Sequence, residues 1–267
     1  MQRLFLALFA MLVAGSARAG PVEDAIAAYD RKDYAEVLRI VKPRAIKGEA
    51  WAQHWLADSY KDGEGMQQDY AEVVKWYRLA AQQGNTSAQY NLGDMYGDGQ
   101  GVGQDHVEAV KWYKLAAQQG NAGAQNTLGF RYINGLGIVQ DNVEGVKWVR
   151  LAAQQGNTIA QYNLGVLFDK GQVVGQDFVE AVKWYRLAAQ KGNAGAQNDL
   201  GIMYAKGQGV AQNYVKAHSW LNLGAVNGDT NALKNRDIVA KQMTPQQIAD
   251  AQKLARECQA RQLKGCD

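Results

Sequence analysis

Histidine and serine, the side chains best suited to metal or nucleophilic chemistry, are scarce in this chain. The three histidines have no regular spacing, and no H-E-x-x-H, G-x-S-x-G or S-x-x-K motif is present. His218 and Ser219 are adjacent, and neighbouring residues of a helix point in different directions, so these two cannot act as base and nucleophile. We therefore predict no catalytic residue and no metal site. The residues considered are His54, His106, His218, Ser59, Ser87 and Ser219.

Pairs of glycines separated by one residue are a second pattern that can carry chemistry, because such loops can bind phosphate groups. Each pair here follows a predicted helix, whereas a phosphate-binding loop follows a strand. The pattern therefore indicates a turn, and we predict no cofactor. Examples are Gly99 with Gly101, Gly135 with Gly137, and Gly207 with Gly209.

The two cysteines, Cys258 and Cys266, lie within the last ten residues. In an oxidising compartment they can close a short loop through a disulfide, whereas in a reducing compartment they remain free thiols. A metal site would need more ligands than this segment contains. We expect the disulfide, with free thiols as the alternative.

Residues 1–19 have the pattern of a secretory signal peptide. Arg3 precedes an apolar run of about twelve residues, which is shorter than the ~20 that cross a bilayer, and Ala17-Arg18-Ala19 is a cleavage motif. A membrane anchor is the alternative. No cysteine follows the small residues, which argues against a lipid anchor. We predict a periplasmic or secreted protein that begins near Gly20 and has no membrane span.

The charge balance argues against nucleic acid as a partner. The chain has 29 Lys and Arg against 26 Asp and Glu, and removing Arg3 and Arg18 leaves 27 against 26. A basic patch of the kind that binds phosphate backbones needs a larger excess.

The strongest regularity is a repeat of 36 residues. Segment 108–129 reads EAVKWYKLAAQQGNAGAQNTLG and segment 180–201 reads EAVKWYRLAAQKGNAGAQNDLG, so that 19 of 22 letters agree. A period between 20 and 50 residues is typical of repeat arrays, in which each unit buries its apolar face against its neighbours. The same register holds for Trp76, Trp112, Trp148, Trp184 and Trp220, and for Gly84, Gly120, Gly156, Gly192 and Gly228.

Each repeat predicts two helices joined by a glycine-rich loop. Gly84 can end one helix in the left-handed conformation and Asn85 can cap the next, which we call helix A. The second helix, helix B, follows a D-x-x-E motif such as Asp105 and Glu108, which predicts a capping box. On helix B, Ala109, Trp112 and Ala116 share one face, so we predict that the tryptophan of each unit is a core residue.

This unit resembles the Sel-one-like repeat, a relative of the tetratricopeptide repeat. The resemblance rests on the pattern G-N-x-x-A-Q-x-x-L-G-x-M-Y-x-x-G-x-G-V-x-Q-D-x-x-E-A-V-K-W-Y-R-L-A-A-Q-Q and covers roughly residues 33–228. It implies an all-α fold, a right-handed α-solenoid with N- and C-terminal capping helices, and a role in binding proteins. The expected boundaries are a signal peptide at 1–19, a capping helix pair at 20–48, five repeats at 49–228, and capping helices with a tail at 229–267.

Departures from the repeat mark its ends. Gly145 replaces the usual helix B alanine, and Arg236-Asp237 replaces the Leu-Gly pair of the last helix A. Thr244-Pro245-Gln246-Gln247 combines an N-cap, a proline at the first helical position and a glutamine at the third, which predicts a final helix over 245–261.

A partner is expected on the surface of helix A that varies between units. In tetratricopeptide-like superhelices this surface lines the concave groove, an inference that depends on the resemblance. Trp51 and Trp55 have an alternative role, which is to seal the N-terminal cap. The predicted binding residues are Trp51, His54, Trp55, Tyr90, Asn91, Asp94, Asn126, Phe130, Tyr162, Asn163, Val166, Asn198 and Ile202.

We therefore predict an exported, monomeric, non-enzymatic scaffold or regulator that binds a protein or peptide. The alternative function is a protein that binds or hydrolyses β-lactams or peptidoglycan fragments, as in cysteine-rich relatives. Those relatives carry a disulfide in each repeat, and this chain does not.

Overall fold

A computed structural model describes residues 20–263 and 265–266; the predicted signal peptide lies outside these residues. The described residues form fourteen α-helices and no strand, which confirms the all-α repeat fold. The chain divides into two compact units, one ending at Gln83 and one beginning at Gly84. The first contains α1 (Pro21–Asp30), α2 (Tyr34–Ile46), α3 (Ala50–Asp62) and α4 (Tyr70–Gln82). The second contains α5 (Thr86–Asp98), α6 (His106–Gln118), α7 (Ala122–Asn134), α8 (Asn142–Gln154), α9 (Thr158–Lys170), α10 (Phe178–Ala189), α11 (Ala194–Lys206), α12 (Tyr214–Val226), α13 (Thr230–Ala240) and α14 (Pro245–Ala260).

The Gly-Asn joints have the predicted geometry. Gly120 has φ +87°, and the Asn121 side chain accepts a hydrogen bond from the backbone N–H of Ala124 at 2.8 Å. The same glycine conformation and asparagine cap begin α5, α9 and α11. A helix B therefore passes into the following helix A through a single left-handed residue.

The predicted D-x-x-E capping boxes are only half formed. Asp105 caps α6 by accepting hydrogen bonds from the N–H groups of Val107 and Glu108. The Glu108 carboxylate does not return to the N-cap amide and binds Lys111 at 2.7 Å instead. The amide of Asp105 already has a partner, because it donates to the carbonyl of Tyr96 at 2.9 Å. The Asp105 amide therefore ties the loop to helix A, and the capping box is not completed.

A glutamine in each loop between helix A and helix B forms a second hydrogen bond to the end of helix A. Gln104 donates from Nε2 to the carbonyl of Gly97 at 2.8 Å, and Gln140 donates to that of Ile133 at 2.8 Å. Equivalent bonds come from Gln68, Gln176 and Gln212. These bonds satisfy carbonyl groups at the ends of helix A that would otherwise lack partners.

Helix A and helix B pack through small residues, as predicted, but the large core residue of helix B is the one after the tryptophan. Ala109, Ala116 and Tyr113 are at most 1% exposed, whereas Trp112 is half-buried. Successive residues of a helix are 100° apart, so a face centred on Tyr113 leaves Trp112 at its edge. Trp184 and Trp220 are buried core residues, as predicted. Trp76, Trp112 and Trp148 are only half-buried, and Trp76 and Trp148 pack against the edge of the core clusters.

Glycine on helix A allows the two helices of a repeat to approach closely. A Cβ added to Gly93 would lie 2.7 Å from the Tyr113 ring, and one added to Gly129 would lie 2.7 Å from the carbonyl oxygen of Gly145. The replacement of alanine by Gly145 therefore has a physical reason, because α7 and α8 contact each other through their backbones.

At the C-terminal end, α14 packs against α12. The predicted capping box of Thr244 and Gln247 is present with both of its hydrogen bonds. Cys258 and Cys266 form a disulfide, and both are buried in the same apolar cluster as Trp220. The expected disulfide is thus present in the structure.

Candidate functional site

One register of helix A carries an apolar residue in four successive helix A segments of the second unit. Phe130 on α7, Val166 on α9 and Ile202 on α11 are half-buried, and Ile238 on α13 is 59% exposed. The residue at this register on α5 is Asp94. We call the four apolar residues the apolar row; three of them were predicted as binding residues, and Ile238 was not.

Hydrogen bonds between side chains join each helix A of the second unit to the next. Asn163 donates to Asn126 at 3.1 Å, and Asn235 donates to Asn198 at 2.8 Å. Tyr90 pairs with Thr127, and Tyr162 with Asp199, at the same two registers. These bridges connect successive helix A segments through their side chains.

The bridge between Asn126 and Asn163 leaves polar atoms for a ligand. It uses the Nδ2 of Asn163 and the Oδ1 of Asn126. Within the described part of the chain, the Asn126 Nδ2 and the Asn163 Oδ1 have no hydrogen-bond partner, and both side chains are half-buried. One donor and one acceptor on adjacent helices are the groups that a peptide backbone requires. In contrast, Asn198 is 8% exposed and also donates to Asp199, so less of it is available.

The tyrosines of the predicted surface also pack within the fold. The ring of Tyr90 lies 5.9 Å from that of Tyr113, and the ring of Tyr162 lies 5.9 Å from that of Tyr185. Burial, followed by the charge of Asp94, raises the pKa of Tyr90. Burial, followed by the charge of Asp199, raises the pKa of Tyr162 to about 12. Both phenols are therefore neutral near pH 7 and act through their rings and hydroxyl groups.

Asp94 is part of a polar chain between α5, α6 and α7. The Tyr113 hydroxyl donates to Asp94 at 2.7 Å, and the Arg131 guanidinium lies 5.5 Å from the Tyr113 ring. Arg131 also contacts the Nδ1 of His106 at 3.1 Å. Burial, followed by the charge of Asp94, raises the pKa of Tyr113. Asp94, one of the predicted binding residues, thus also accepts a hydrogen bond within the fold.

In the first unit, the predicted binding residues lie against the N-terminal helices. Trp51 and Trp55 are half-buried in the apolar cluster of α1 and α2, and the Trp55 ring meets that of Tyr29 at 5.9 Å. His54 lies 3.7 Å from Asp58 and near the ring of Tyr77. These contacts fit the cap-sealing role of the two tryptophans. Asn91, on α5 of the second unit, is half-buried.

Lysines flank the apolar row on α9 and α11. The last residues of these helices are Lys170 and Lys206, both exposed, and the equivalent residues on α5 and α7 are Asp98 and Asn134. Near Lys206 the row ends in a cleft of about 290 Å³. The cleft is lined by Ile202, Ala205, Lys206, Tyr214, Leu221, Asn235, Ile238, Val239 and Gln242.

The histidines are dispersed in the fold. His54 neighbours Asp58, His106 contacts Arg131, and His218 is 3% exposed on α12. Burial, followed by the charge of Arg236, lowers the pKa of His218. Within residues 20–263 and 265–266, no group of three or more His, Cys, Asp or Glu side chains could hold a metal ion. Nor is any helix there long and apolar enough to cross a bilayer.

Comparison with known protein families gives five consecutive matches to the Sel1 repeat, at residues 52–85, 86–121, 122–157, 158–193 and 194–229. The chain belongs to the Sel1 repeat family. Sel1 repeat proteins typically mediate contacts between proteins, and the family is in general a scaffold rather than an enzyme. No curated protein matches the sequence.

Solved Sel1 repeat structures resemble this one. A Sel1 repeat protein from Oxalobacter formigenes is 32% identical, with a TM-score of 0.75, and the match covers 82% of this chain and 87% of that one. A protective antigen of uropathogenic Escherichia coli with an SLR fold is 24% identical, with a TM-score of 0.53, over 92% of this chain and 69% of that one. The second likeness shows the fold alone.

Asn235 and Ile238 are the surface residues that the sequence prediction omitted. They follow Asp199 and Ile202 by 36 residues, so the repeat register could have identified them. The predicted surface was taken from the five helix A segments of the expected repeats, so it did not include α13.

Proposed function

We propose that this Sel1 repeat protein is an exported scaffold that binds a peptide or protein segment on the helix A face of its second unit. The observation that carries the proposal is the apolar row together with the free donor and acceptor of Asn126 and Asn163. Half-buried apolar groups beside unpaired amide atoms favour a partner that contributes both side chains and backbone.

Export is supported by two features. The apolar run and cleavage motif of residues 1–19 have the composition of a signal peptide. The disulfide between Cys258 and Cys266 fits an oxidising compartment such as the periplasm or the exterior of the cell.

The choice of test residues follows from the packing. Tyr90 and Tyr162 cover other tyrosine rings, so replacing them would alter the fold as well as the surface. Ile238 is 59% exposed and Lys206 is exposed, so they can be changed with little effect on folding. Lys147, on helix B, has a side chain that is 61% exposed and serves as the matched control.

The test is photo-cross-linking from defined positions of residues 20–267. A benzophenone amino acid is introduced at Ile238, Lys206 or Lys147, and each protein is irradiated with an extract of the cell envelope. We expect Ile238 and Lys206 to yield the same cross-linked partner and Lys147 to yield none. Substitution of Asn163 by Ala should then reduce the yield from Ile238. Cross-linking from Lys147 alone would refute the assignment to helix A and place binding on helix B.

A further inference from the structure

We infer that the cleft between α11, α12 and α13 binds a small carboxylic acid that carries an apolar ring. This inference goes beyond the proposed function, because the ligand is a small molecule and not a segment of a protein. The cleft has a volume of about 290 Å³, at the lower end of the range for small-molecule sites. Its walls come from all three helices and from Gln242, which follows α13.

The cleft lies at registers where two other repeats of the second unit have a tyrosine paired with an aspartate. The Tyr113 hydroxyl donates to Asp94 at 2.7 Å, between α6 and α5. The Tyr185 hydroxyl donates to Asp169 at 3.3 Å, between α10 and α9. The repeat of α11 and α12 therefore lacks both a phenol ring and a carboxylate at these registers. The residues found there instead all line the cleft and are Leu221, Ile202 and Ala205.

The repeat of α7 and α8 also lacks the tyrosine, but its two helices pack more closely. Its residue at the tyrosine register is Val149, and a Cβ added to Gly129 would lie 2.7 Å from the carbonyl oxygen of Gly145. The corresponding distance from Gly201 to the carbonyl oxygen of Ala217 is 3.1 Å. Close backbone contact thus compensates for the missing ring between α7 and α8, whereas a cleft is left beside α11 and α12.

The apolar side chains of the cleft favour a ring. Leu221 and Val239 are 0% and 7% exposed and form its buried side, and Ile202 and Ala205 are half-buried. Ile238, which is 59% exposed, forms its open side. A ring that enters the cleft is removed from water together with these side chains, which is favourable.

The polar side chains of the cleft favour a carboxylate. Lys206 is exposed and has no ion pair within the described part of the chain, and none of the residues that line the cleft is acidic. The Tyr214 hydroxyl accepts a hydrogen bond from the Nε2 of Gln212 at 3.1 Å, so its own hydrogen is available to a ligand oxygen. The nearby Asp237 is already paired with Arg236 at 2.9 Å. A cation and a hydroxyl donor, without a competing acid, fit an anionic group.

The test is a titration of ¹⁵N-labelled residues 20–267 with 3-phenylpropanoate, followed by two-dimensional NMR with assigned amide signals. We expect saturable shifts of residues in α11, α12 and α13, with a dissociation constant of about 1 mM for a ligand of this size. The uncharged 3-phenylpropanamide, which has the same ring, should bind about fivefold more weakly.

Matched variants test the role of each wall. Lys206→Gln should weaken binding of 3-phenylpropanoate by about fivefold, whereas Lys170→Gln, at the same register of α9, should not. Ile238→Glu should weaken it by at least about fivefold through charge repulsion, and Ile159→Glu, at a site that is 60% exposed, is its control. Leu221→Tyr restores the residue type of α6 and α10 and should abolish binding. If Leu221→Tyr does not fold, the two surface variants decide.

The inference is overturned if no saturable shifts appear in α11–α13 up to about 10 mM ligand. It is also overturned if Lys206→Gln and Lys170→Gln have equal effects. N-acetyl-Gly-Gly-Phe presents a similar ring and carboxylate at the end of a peptide, and tighter binding of this peptide would assign the cleft to a protein C terminus instead. The cross-linking experiment decides the proposed function separately, because it uses none of these ligands.

Discussion

At the scale of single residues, a glutamine pair recurs at the joint between helix A and helix B. Gln155 donates from Nε2 to the Oε1 of the buried Gln125 at 2.7 Å. The same bond joins Gln119 to Gln89, and Gln83 to Gln53. Where the donor is replaced by Lys191, the Oε1 of Gln161 is buried without a partner. One substitution thus leaves a buried acceptor unsatisfied.

Replacing Lys191 by Gln should therefore stabilise the protein. A buried acceptor without a partner costs about 1–3 kcal/mol, so Lys191→Gln should raise the free energy of unfolding by roughly 1 kcal/mol. Part of the gain is offset, because Lys191 donates to the carbonyl of Gly156 at 2.6 Å. The converse change, Gln155→Lys, should be destabilising by a similar amount. Urea denaturation measures both; a loss of stability in Lys191→Gln would contradict the explanation.

His218 should make stability depend on pH. Its folded-state pKa is lowered, first by burial and then by Arg236, while its unfolded value is near 6.5. As the pH falls through about 6.5, the unfolded state binds a proton that the folded state does not, so stability decreases. His218→Phe should show a smaller drop in melting temperature between pH 7.5 and pH 5. An equal drop in both proteins would show that His218 does not contribute.

At the scale of helices, each repeat is closed by a residue of helix B against a glycine of helix A. Gly93, Gly165 and Gly201 face Tyr113, Tyr185 and Leu221, with an added Cβ at 2.7, 2.6 and 2.6 Å from those side chains. Between α7 and α8 both partners are small, since Gly129 faces Gly145 and Val149. The distance between helix A and helix B of a repeat therefore depends on the helix B side chain that faces the helix A glycine.

Gly145→Ala should destabilise the protein although alanine favours helices. Alanine gains about 1 kcal/mol over glycine in a helix interior. Its Cβ would, however, lie 2.7 Å from the carbonyl oxygen of Gly129, and such overpacking costs about 1–3 kcal/mol. We expect a net decrease in melting temperature. Gly103→Ala is the control, because its Cβ would meet no atom within 4 Å. An increase in stability for Gly145→Ala would contradict the close contact.

At the scale of the whole molecule, a repeat array needs its last apolar face covered. At the C-terminal end α14 packs on α12, and the disulfide holds the residues that follow it against the same cluster. Cys258 and Cys266 are 1% and 3% exposed, so they contribute apolar burial as well as a covalent link.

Removing the disulfide should weaken this end of the array. A bond that closes a loop of eight residues contributes about 2 kcal/mol, mainly by restricting the unfolded chain. The Cys258→Ala, Cys266→Ala double variant should therefore unfold at lower denaturant concentration. A reducing agent should lower the stability of the natural protein and leave the variant unchanged. If reduction has no effect on the natural protein, the disulfide does not support the end of the array.

Much of the local structure could be predicted from the sequence because it depends on residues close together in the chain. The Gly-Asn joints, the Asp caps and the Thr244 capping box each need only three or four consecutive residues. The 36-residue period itself predicted the helix pairs, because each unit repeats the same short-range pattern. The role of the helix A residues in binding stays a prediction.

The tertiary structure alone decided which faces of helices that are distant in sequence contact each other. Whether Trp112 or Tyr113 fills the core depends on the rotation of helix B by 100°, and neighbouring residues alone do not set that angle. The Glu108 side chain was free for Lys111 because Tyr96, nine residues earlier than Asp105, already binds the N-cap amide. The bridges between Asn126 and Asn163, 37 residues apart, likewise exist only once the repeats have stacked. Short-range geometry is thus determined by the sequence, while the partner of each side chain depends on which helices the fold brings together.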